Sequence, residues 1–397
     1  MTTRTIAVLT ATRAEYGPLR CLMLDIRADE RMTLRTIVTG THLSPSHGMT
    51  YKEIEKDGLE IDASVDMGVV KDTPGAIAEA IGRCSAGVGQ ALADLTPDIL
   101  VLLGDRYELL AAAAAATVAG IPIAHISGGD VTVGSMDNQF RHALTKLSHL
   151  HFPSTEESAA RIVQMGEEPS TVHVVGEPGL ENLRRLPRIP RGELADMYDL
   201  DPERSWAIFA YHPETAVSSD ANEERAESAL QVLAETDSLQ TVLTFPNSDP
   251  GWSGIVRILQ EHVGRNRVRF RLVQNLGQQA FLSLMRESKC IVGNSSAAIM
   301  EAPSVELPAV NIGQRQVGRI MAANVIASDG LLGSLRTAIT RAVDPQFRRS
   351  ISGLENPYGD GFTSERIRSV LATVELDGLV RKGFRVLGRS DARPFDL

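Results

Sequence analysis

Carboxylates and histidines are concentrated in one stretch of the chain, where they could perform acid–base chemistry. Asp105 follows an unusually apolar run, in the sequence Gly104-Asp105-Arg106-Tyr107-Glu108. The stretch that comes next holds two further aspartates and four of the nine histidines: Asp130, Asp137, His125, His142, His149 and His151. Paired carboxylates with nearby histidines can remove and return protons on a polar substrate. A carboxylate after a strand can also be a simple helix cap, which is the commoner role.

A metal site is a weaker interpretation of the same stretch. The histidine spacing matches no standard metal motif. His149 and His151 alternate on a predicted strand, so they are expected to point to opposite faces. The three cysteines are scattered, odd in number and without ligand spacing: Cys21, Cys84 and Cys290. Such cysteines are typical of small core residues in a reducing compartment. We therefore expect acid–base chemistry without a metal.

Other polar groups that follow predicted strands could hold a phosphate. Arg13 lies between a strand and a helix, where a guanidinium can bind phosphate beside the positive helix end. Gly293-Asn294-Ser295-Ser296 ends another strand and opens a helix that reaches Glu301. Backbone N–H groups and hydroxyls there could cradle a phosphate, although a capped strand-to-helix turn looks the same. The chain contains no GxGxxG and no Walker A motif, which removes the main support for nicotinamide and P-loop functions.

Short apolar runs alternate with helical patterns along the whole chain, which predicts the elements that position these groups. Such alternation predicts an α/β fold with parallel sheets and helices on both faces. We predict strands at residues 5–10, 34–39, 99–103, 121–126, 172–175, 206–211, 241–245, 268–272, 290–292 and 309–312. We predict helices at residues 18–28, 75–95, 107–119, 221–236, 278–288 and 363–376. The expected fold class is therefore two Rossmann-like doubly wound domains that face each other across a cleft, with ligands at the carboxyl ends of strands.

The length of 397 residues indicates two to three domains. The segment 183–191 contains two prolines among charged residues and is predicted to be a linker. Residues 1–182 then form an N-terminal domain and residues 192–362 a C-terminal domain. We expect a helix within 363–380 to pack back on the first domain. Residues 381–397 form a basic tail that we expect to be exposed, with Lys382, Arg385, Arg389 and Arg393.

Composition excludes several classes of function. Lys plus Arg is 40 and Asp plus Glu is 50, for a net charge of −10, so no global field attracts nucleic acid or anionic membranes. No segment approaches the roughly 20 apolar residues of a membrane span. The first residues are too short and strand-like for a signal peptide. We expect a soluble, cytoplasmic protein that binds neither nucleic acid nor membranes.

Seven ordered blocks between about residues 4 and 376 resemble the UDP-N-acetylglucosamine 2-epimerase family, most closely its hydrolysing branch. The blocks are Thr12-Arg13-Ala14-Glu15-Tyr16-Gly17, Val38-Thr39-Gly40-Thr41-His42, Gly104-Asp105-Arg106-Tyr107-Glu108, Arg141-His142-Ala143-Leu144-Thr145-Lys146-Leu147-Ser148-His149-Leu150-His151, His212-Pro213-Glu214-Thr215, Gly293-Asn294-Ser295-Ser296 and Asn311-Ile312-Gly313-Gln314-Arg315-Gln316. The resemblance implies the two-domain glycosyltransferase-B arrangement. It also implies that the C-terminal domain binds UDP.

The resemblance implies a specific reaction. Family members remove the C2 proton of UDP-N-acetylglucosamine and expel UDP, which leaves 2-acetamidoglucal. Hydrolysing members then add water to give N-acetylmannosamine and free UDP, whereas non-hydrolysing members return UDP to give UDP-N-acetylmannosamine. The resemblance implies no metal and no redox cofactor. It implies UDP and a UDP-sugar as ligands, and a homo-oligomer, either a dimer or a tetramer.

The resemblance also assigns roles to residues. Asp105 and Asp137 match carboxylates of acid–base catalysis, and His149 is a further catalytic candidate in a matching block. The groups that match UDP ligands are Arg13, His212, Ser295, Ser296, Glu301 and Arg315. The other candidates for substrate or UDP binding are His42, Arg106, Arg141 and Asn294.

The chain departs from the family pattern at His125-Ile126-Ser127. The third residue is Glu or His in hydrolysing members and Glu in non-hydrolysing ones, and an unactivated serine is not a general base at neutral pH. Asp130 stands where Glu is usual. Either Asp130 has taken over part of the acid–base work or the second half-reaction differs, so Ser127 and Asp130 are both catalytic candidates. The first half-reaction is therefore better predicted than the second.

Several functions remain open on the sequence alone. The leading hypothesis is hydrolysis to N-acetylmannosamine, and the second is the non-hydrolysing epimerisation. The same chemistry could act on a modified sugar, such as a 2,4-diacetamido-6-deoxy sugar nucleotide. A binding-only protein would have lost the carboxylates that are present here. A transferase of the same fold would need an acceptor cleft.

Overall fold

The computed structural model describes residues 3–45, 48–68, 73–132, 136–214, 217–246 and 251–385. The chain divides into two compact units. Unit 1 comprises Met1–Glu181 together with Tyr358–Leu397, and unit 2 comprises Asn182–Pro357. In the described residues no helix is both long and apolar enough to cross a membrane.

Unit 1 contains a six-stranded sheet in the order β3-β2-β1-β4-β5-β6, in which every pair is parallel. Its strands are β1 (Arg4–Thr10), β2 (Met32–Thr39), β3 (Ala63–Val65), β4 (Ile99–Leu103), β5 (Ile123–Ile126) and β6 (Leu150–Phe152). Its helices are α1 (Arg13–Ala28), α2 (Tyr51–Lys56), α3 (Pro74–Leu95), α4 (Tyr107–Ala119), α5 (Asp137–Leu147), α6 (Glu156–Gln164) and, late in the chain, α15 (Thr363–Thr373). The strands are apolar because helices cover both faces of the sheet.

Unit 2 repeats this architecture, with the sheet order β12-β11-β10-β7-β8-β9 and parallel pairs throughout. Its strands are β7 (Ser205–Ala210), β8 (Leu239–Thr244), β9 (Phe270–Val273), β10 (Ser288–Gly293), β11 (Ala309–Ile312) and β12 (Val325–Ser328). Its helices are α8 (Arg191–Tyr198), α9 (Ser219–Glu235), α10 (Trp252–Arg265), α11 (Gly277–Glu287), α12 (Ala297–Met300), α13 (Leu332–Val343) and α14 (Pro345–Ser350), and α7 (Leu180–Arg185) spans the boundary of the two units.

The predicted α/β class with two doubly wound parallel sheets is confirmed. Some individual elements differ from the prediction. The strand predicted at 172–175 is wrong, since only Val172 forms a single bridge, to His151. The edge strands β3 and β12 were not predicted, because segments of three and four residues carry little apolar pattern. Helix α1 begins at Arg13 and includes Pro18, so it starts earlier than predicted.

The C-terminal part of unit 1 returns to its core. Ile367 and Leu371 of α15 are buried in the same apolar cluster as Leu22 and Ile26 of α1. Lys382 is not exposed as predicted, because its side chain is only 21% exposed and pairs with Glu167. Residues 386–397, with Arg389 and Arg393, lie outside the described residues.

Candidate active site

The carboxyl ends of β4 and β5 bring together the central acid–base candidates of unit 1. Asp105 follows β4, Ser127 and Asp130 follow β5, and these strands are direct neighbours. Because both strands run in the same direction, the loops that follow them lie at the same edge of the sheet. Helix α5, which begins at Asp137, supplies the remaining groups.

Arg141 of α5 ties these loops to one another. Its buried guanidinium forms an ion pair with the Asp105 carboxylate. It also donates hydrogen bonds to the Asp130 carbonyl oxygen (2.9 Å) and to Thr132 Oγ1 (3.1 Å). The side chain predicted to bind substrate therefore connects the loops that follow β4 and β5, and a guanidinium, with its several donors in a fixed plane, is well suited to that role.

Burial raises the pKa of Asp105, and the nearby Asp137 carboxylate raises it further. The positive charge of Arg141 acts in the opposite direction. A carboxylate with a raised pKa is a stronger base than one in water, provided that it remains ionised at the working pH. Asp105 thus has the electrostatic environment of a general base.

The loop after β5 has an unusual backbone. Ser127 adopts φ 61°, a left-handed conformation that is rare for residues other than glycine, and its N–H donates to the Phe152 carbonyl oxygen (3.0 Å). Gly129 also has a positive φ of 79°, and a Cβ there would overlap the Ser158 carbonyl oxygen. Ser158 Oγ donates to Asp130 Oδ1 (2.6 Å), which orients that carboxylate. Such strain persists only where surrounding contacts hold it.

His125 also lies at this edge, although the sequence pattern predicts no individual role for it. It is fully buried in β5, and its Nε2–H donates to the carbonyl oxygen of Gly104 (2.7 Å), next to Asp105. Burial lowers the pKa of His125 to about 3, so the ring is neutral. The only signal for it in the sequence is its place two residues before Ser127.

Arg106 lies between two buried carboxylates. Its guanidinium pairs with Glu108 (2.8 Å) and lies 3.8 Å from Glu15. Glu15 Oε2 accepts from the backbone N–H of Ala11 (2.7 Å). Burial, together with the charge of Glu108, raises the pKa of Glu15 to about 8. Arg106 is therefore held by an ion pair with Glu108, and its predicted contact with substrate stays a prediction.

Two predicted histidines do not join this site. His42 is fully buried, with Nε2 3.0 Å from Thr10 Oγ1 and Nδ1 2.8 Å from Thr50 Oγ1, so neither ring nitrogen is left for a substrate. His149 lies before β6, where its Nδ1 accepts from the backbone N–H of Ile123 (3.1 Å). Ile123 is the first residue of β5, so His149 occupies the amino edge of the sheet, opposite Asp105. Both assignments are corrected.

Arg13, at the carboxyl end of β1, is half-exposed and pairs with Glu53 at 3.3 Å. A partner that is itself half-exposed is easily exchanged for a phosphate, since such surface pairs contribute little free energy. The predicted role of Arg13 as a UDP ligand therefore stays a prediction.

The carboxyl edge of unit 2 depends on close backbone contacts between β7 and β10. Gly293 ends β10 with φ 142°, and a Cβ there would overlap the Ala210 carbonyl oxygen. The buried Asn294 clamps the two strand ends, because its Oδ1 accepts from the His212 N–H (2.7 Å) and its Nδ2 donates to the His212 carbonyl (2.8 Å). The amide of Asn294, predicted to bind UDP, is used in this clamp.

Around this clamp lie a neutral imidazole, hydroxyls and a guanidinium. Burial and the positive charge of Arg315 lower the pKa of His212 to about 4. Arg315 donates to the Asn294 carbonyl oxygen (3.2 Å), which holds it at the start of α12. Ser295 and Ser296 are half-buried at the same helix start. Together these donors could bind a diphosphate.

Glu301, directly after α12, has a buried carboxylate oxygen, Oε2, with no hydrogen-bond partner within the described part of the chain. Burial raises its pKa. An unsatisfied buried acceptor is costly unless a ligand supplies a donor. Hydroxyl groups of a sugar would satisfy it. The described residues contain no cluster of three or more His, Cys, Asp or Glu that could hold a metal ion.

Two doubly wound parallel sheets with polar groups at their carboxyl edges define a glycosyltransferase-B-like α/β protein. A family model described as UDP-N-acetylglucosamine 2-epimerase matches residues 24–372. The chain belongs to this family, as the motif blocks predicted.

Hydrolysing relatives are among the most similar curated proteins. The hydrolysing GDP/UDP-N,N'-diacetylbacillosamine 2-epimerase of Campylobacter jejuni is 33% identical over 97% of this chain and 99% of its own. The hydrolysing UDP-N,N'-diacetylbacillosamine 2-epimerase of Legionella pneumophila is 35% identical over 94% of this chain and 97% of its own. A UDP-N-acetylglucosamine 2-epimerase of Neisseria meningitidis is 31% identical over 85% of this chain and 87% of its own.

Solved structures share the fold. The N. meningitidis UDP-GlcNAc 2-epimerase bound to UDP-GlcNAc matches with a TM-score of 0.74 at 19% identity, over 92% of this chain and 99% of its own. The S. aureus MnaA–UDP complex matches with a TM-score of 0.76 at 19% identity, over 93% of this chain and 96% of its own.

Proposed function

We propose that this chain is a hydrolysing UDP-sugar 2-epimerase, which converts UDP-N-acetylglucosamine to N-acetylmannosamine and UDP. The observation that carries the proposal is the ion pair between the partly buried Asp105 and the buried Arg141 at the carboxyl edge of unit 1, with Asp137 close enough to raise the pKa of Asp105. Two relatives that match nearly the whole chain are named hydrolysing 2-epimerases, which supports the hydrolysing reaction.

In the first half-reaction, Asp105 removes the proton from C2. The electrons of the C2–H bond form a double bond between C1 and C2, while the bond from C1 to the UDP oxygen breaks and its electrons leave with UDP. The raised pKa of Asp105 increases its strength as a base. Arg141 keeps enough of the carboxylate ionised for the proton transfer.

The leaving group is held by unit 2. Arg315 and the hydroxyls of Ser295 and Ser296 donate to the diphosphate, whose negative charge grows as the C1–O bond breaks. His212, neutral because burial lowers its pKa to about 4, donates a hydrogen bond without adding a second charge beside Arg315. The unpartnered oxygen of Glu301 accepts from ribose hydroxyls.

In the second half-reaction, water adds across the double bond. Asp137 delivers a proton to C2 on its other face, while the water oxygen bonds to C1 and the proton released by the water passes to the solvent. The product is the free sugar. Asp105 then gives up the proton that it took from C2 and Asp137 takes one back, so both carboxyl groups regain their starting states. Asp130, oriented by Ser158, assists where other family members use a larger carboxylate, and Ser127 takes no part in the proton transfer.

A second candidate substrate is UDP-N,N'-diacetylbacillosamine, which carries an acetamido group at C4 as well as C2. Two relatives of this chain are named for it. Ser127 is also smaller than the Glu or His that the family resemblance predicts there, so this loop has more space for a substituent. The elimination and hydration steps would be identical.

Product analysis tests the proposal. Purified protein is incubated with either nucleotide sugar, and UDP is separated from UDP-sugars by anion-exchange chromatography while mass spectrometry identifies the neutral product. We expect free UDP and free sugar in equal amounts from at least one of the two. Epimerised UDP-sugar without free UDP would establish the non-hydrolysing reaction, and no turnover of either would overturn the proposal. From the family resemblance we further propose a cytoplasmic homo-oligomer, which sedimentation analysis of the active fraction tests.

A further inference from the structure

Lys382, near the end of the described chain, binds the C-terminal end of helix α5. Its Nζ donates to the carbonyl oxygens of Thr145 (3.2 Å), Lys146 (2.7 Å) and Ser148 (2.5 Å). The last turn of a helix leaves carbonyls short of donors, and of these three only Thr145, among the described residues, also accepts from a backbone N–H at the helix end, that of Ser148 (3.2 Å). A positive charge is also favoured there by the helix dipole. Lys382 thus acts as a C-terminal cap that comes from a part of the chain more than 230 residues away in sequence.

A buried carboxylate fixes this lysine. Glu167, only 2% exposed, pairs with Lys382 (2.6 Å) through Oε2 and with Lys146 of α5 (2.5 Å) through Oε1. The buried His151 of β6 lies 3.1 Å from the same Oε2. Lys382 therefore connects the end of α5 with Glu167 in the loop after α6, and Glu167 in turn contacts β6.

The segment around Lys382, residues 378–385, has further contacts that hold it in place. The Arg385 N–H donates to the Gly166 carbonyl oxygen (3.1 Å), and Lys146 Nζ lies 4.8 Å above the ring of Phe384. Gly166 has φ 90°, and a Cβ there would lie 3.0 Å from the Phe384 ring. The absence of a side chain at Gly166 leaves space for the segment to lie against this loop.

The other end of α5 carries the acid–base groups. Asp137 is its first residue, Arg141 lies one turn further, and Met136 at the N-cap has no side-chain acceptor for the first N–H groups. Lys146 lies nine positions after Asp137, which is about 14 Å along the helix axis. A rotation of the anchored end would therefore be transmitted to the Arg141–Asp105 pair.

We propose that Lys382 is a positioning residue for the epimerase reaction. It fixes the C-terminal end of α5 and thereby the alignment of Asp137 and Arg141 on Asp105. This inference rests on the proposed function, because it concerns the rate of that reaction. Lys382 itself contacts no reacting group.

The test compares Lys382→Met with Arg381→Met, an exposed neighbour in the same segment. Lys382→Met keeps the apolar stem and removes the ammonium group. We expect kcat to fall about tenfold with KM changed less than about twofold, because misalignment of catalytic groups lowers the rate of the chemical step. Lys382→Arg, which keeps the charge, should recover most of the loss, and Arg381→Met should behave as wild type. An unchanged kcat in Lys382→Met, or an equal fall in Arg381→Met, would overturn the proposal.

Hydrogen exchange measured by mass spectrometry supplies a readout that does not depend on turnover. In Lys382→Met we expect faster exchange in peptides that cover α5, with no change in α3 or in unit 2. Unchanged exchange in α5 would overturn the anchoring role even if activity fell. If wild-type protein turns over no UDP-sugar, the proposed function fails, and the exchange result still decides whether Lys382 anchors the helix.

A second variant covers the case in which Lys382→Met does not fold. Phe384 is 72% exposed, so Phe384→Ala should leave folding intact while weakening the docking of the segment. We expect a fall in kcat of about threefold and a smaller increase in α5 exchange, in the same direction as for Lys382→Met. Wild-type values for both quantities would contradict the proposal.

Discussion

The carboxyl edges of the two sheets carry residues of different chemical character, although the sheets have the same strand order. The edge of unit 1 is made of charged side chains close to one another, with Asp105 paired to Arg141 and Arg106 placed between Glu15 and Glu108. The edge of unit 2 is made of backbone contacts and neutral groups, with Gly293 against Ala210 and an asparagine amide clamping His212. Identical topology thus supports two different kinds of site.

This difference corresponds to two different physical requirements. A proton transfer needs groups with shifted pKa values, which buried charges in proximity provide. A diphosphate needs several donors in fixed positions, which a rigid backbone and small side chains provide. Substitutions in unit 1 should therefore change rate constants, whereas substitutions in unit 2 should change affinity or folding.

The largest effect is expected from Asp105→Asn. Without its base, the enzyme should lose roughly a thousandfold in kcat, as is usual when a general base is removed. Calorimetric titration should give a UDP affinity within about twofold of wild type, because Asp105 is not among the proposed UDP ligands. Asp94→Asn, at an exposed helix position, is the matched control. A large loss of UDP affinity in Asp105→Asn would contradict the claim that substitutions in unit 1 change rate constants rather than affinity.

Gly293→Ala should damage unit 2 through its backbone. The added Cβ would overlap the Ala210 carbonyl oxygen at a φ of 142° that alanine does not adopt without strain. We expect a loss of about 3 kcal/mol in the free energy of unfolding, together with weaker UDP binding. Urea denaturation measures the first quantity. Gly264→Ala, in α10 with open space around it, should be neutral or slightly stabilising, and a similar loss there would show that the Gly293 contact is unimportant.

Glu301→Gln should lower UDP affinity by about tenfold, since charge-assisted hydrogen bonds to the ribose would be weakened. The sharper measurement uses 2′,3′-dideoxy-UDP, which has no ribose hydroxyls. Wild type and Glu301→Gln should bind that analogue equally. Glu306→Gln is the control variant. Equal weakening for UDP and for the dideoxy analogue would exclude Glu301 as the ribose ligand.

Acidification should lower the stability of unit 1 more than that of unit 2. Among the described residues, burial lowers the pKa of six histidines of unit 1. The pKa falls to about 4 for His42 and His149 and to about 3 for His125, and it is also lowered for His142, His151 and His173. In unit 2 burial, with the charge of Arg315, lowers the pKa of His212 to about 4. Below pH 6.5 these histidines bind protons in the unfolded chain but stay neutral in the folded one. Their contribution to the free energy of unfolding is therefore present above pH 6.5 and is lost as the pH falls towards 4. Two carboxyl groups of unit 1 act in the opposite direction, Glu15, with its pKa raised to about 8, and Asp105, whose pKa burial also raises, but they are fewer than the histidines.

Hydrogen exchange at pH 7 and pH 5, corrected for intrinsic rates, measures this difference. Protection in the strands of unit 1 should fall by on the order of 1 kcal/mol more than in unit 2. An equal or larger fall in unit 2 would contradict the assignment of these histidines as buried and neutral.

Much of the fold and of the catalytic edge could be predicted from the sequence. Polar residues that follow apolar runs, such as Asp105 and Asn294, must lie at carboxyl edges once the strands are parallel. His149 was misplaced because it precedes its strand rather than following it, and no carboxyl edge can include such a residue. His42 could not be excluded from sequence, since its burial depends on contacts with Thr10 and Thr50.

The remaining features depend on contacts that are distant in sequence. The raised pKa of Glu15 comes from its burial, to which the charge of Glu108 adds, and the burial of Lys382 depends on Glu167 and the end of α5. In a basic tail, composition indicates exposure because charged residues are usually solvated. Only the fold shows that one of these basic residues, Lys382, has a buried carboxylate partner.

Proton NMR of the reaction in deuterated water tests the proposed chemistry most directly. The enzyme is incubated with UDP-N-acetylglucosamine and, separately, with UDP-N,N'-diacetylbacillosamine, and spectra are followed from early to late times. The proposed mechanism predicts free UDP together with a free sugar of inverted C2 configuration that carries deuterium at C2. A released sugar that keeps its C2 proton, or epimerised sugar that remains attached to UDP, would contradict it.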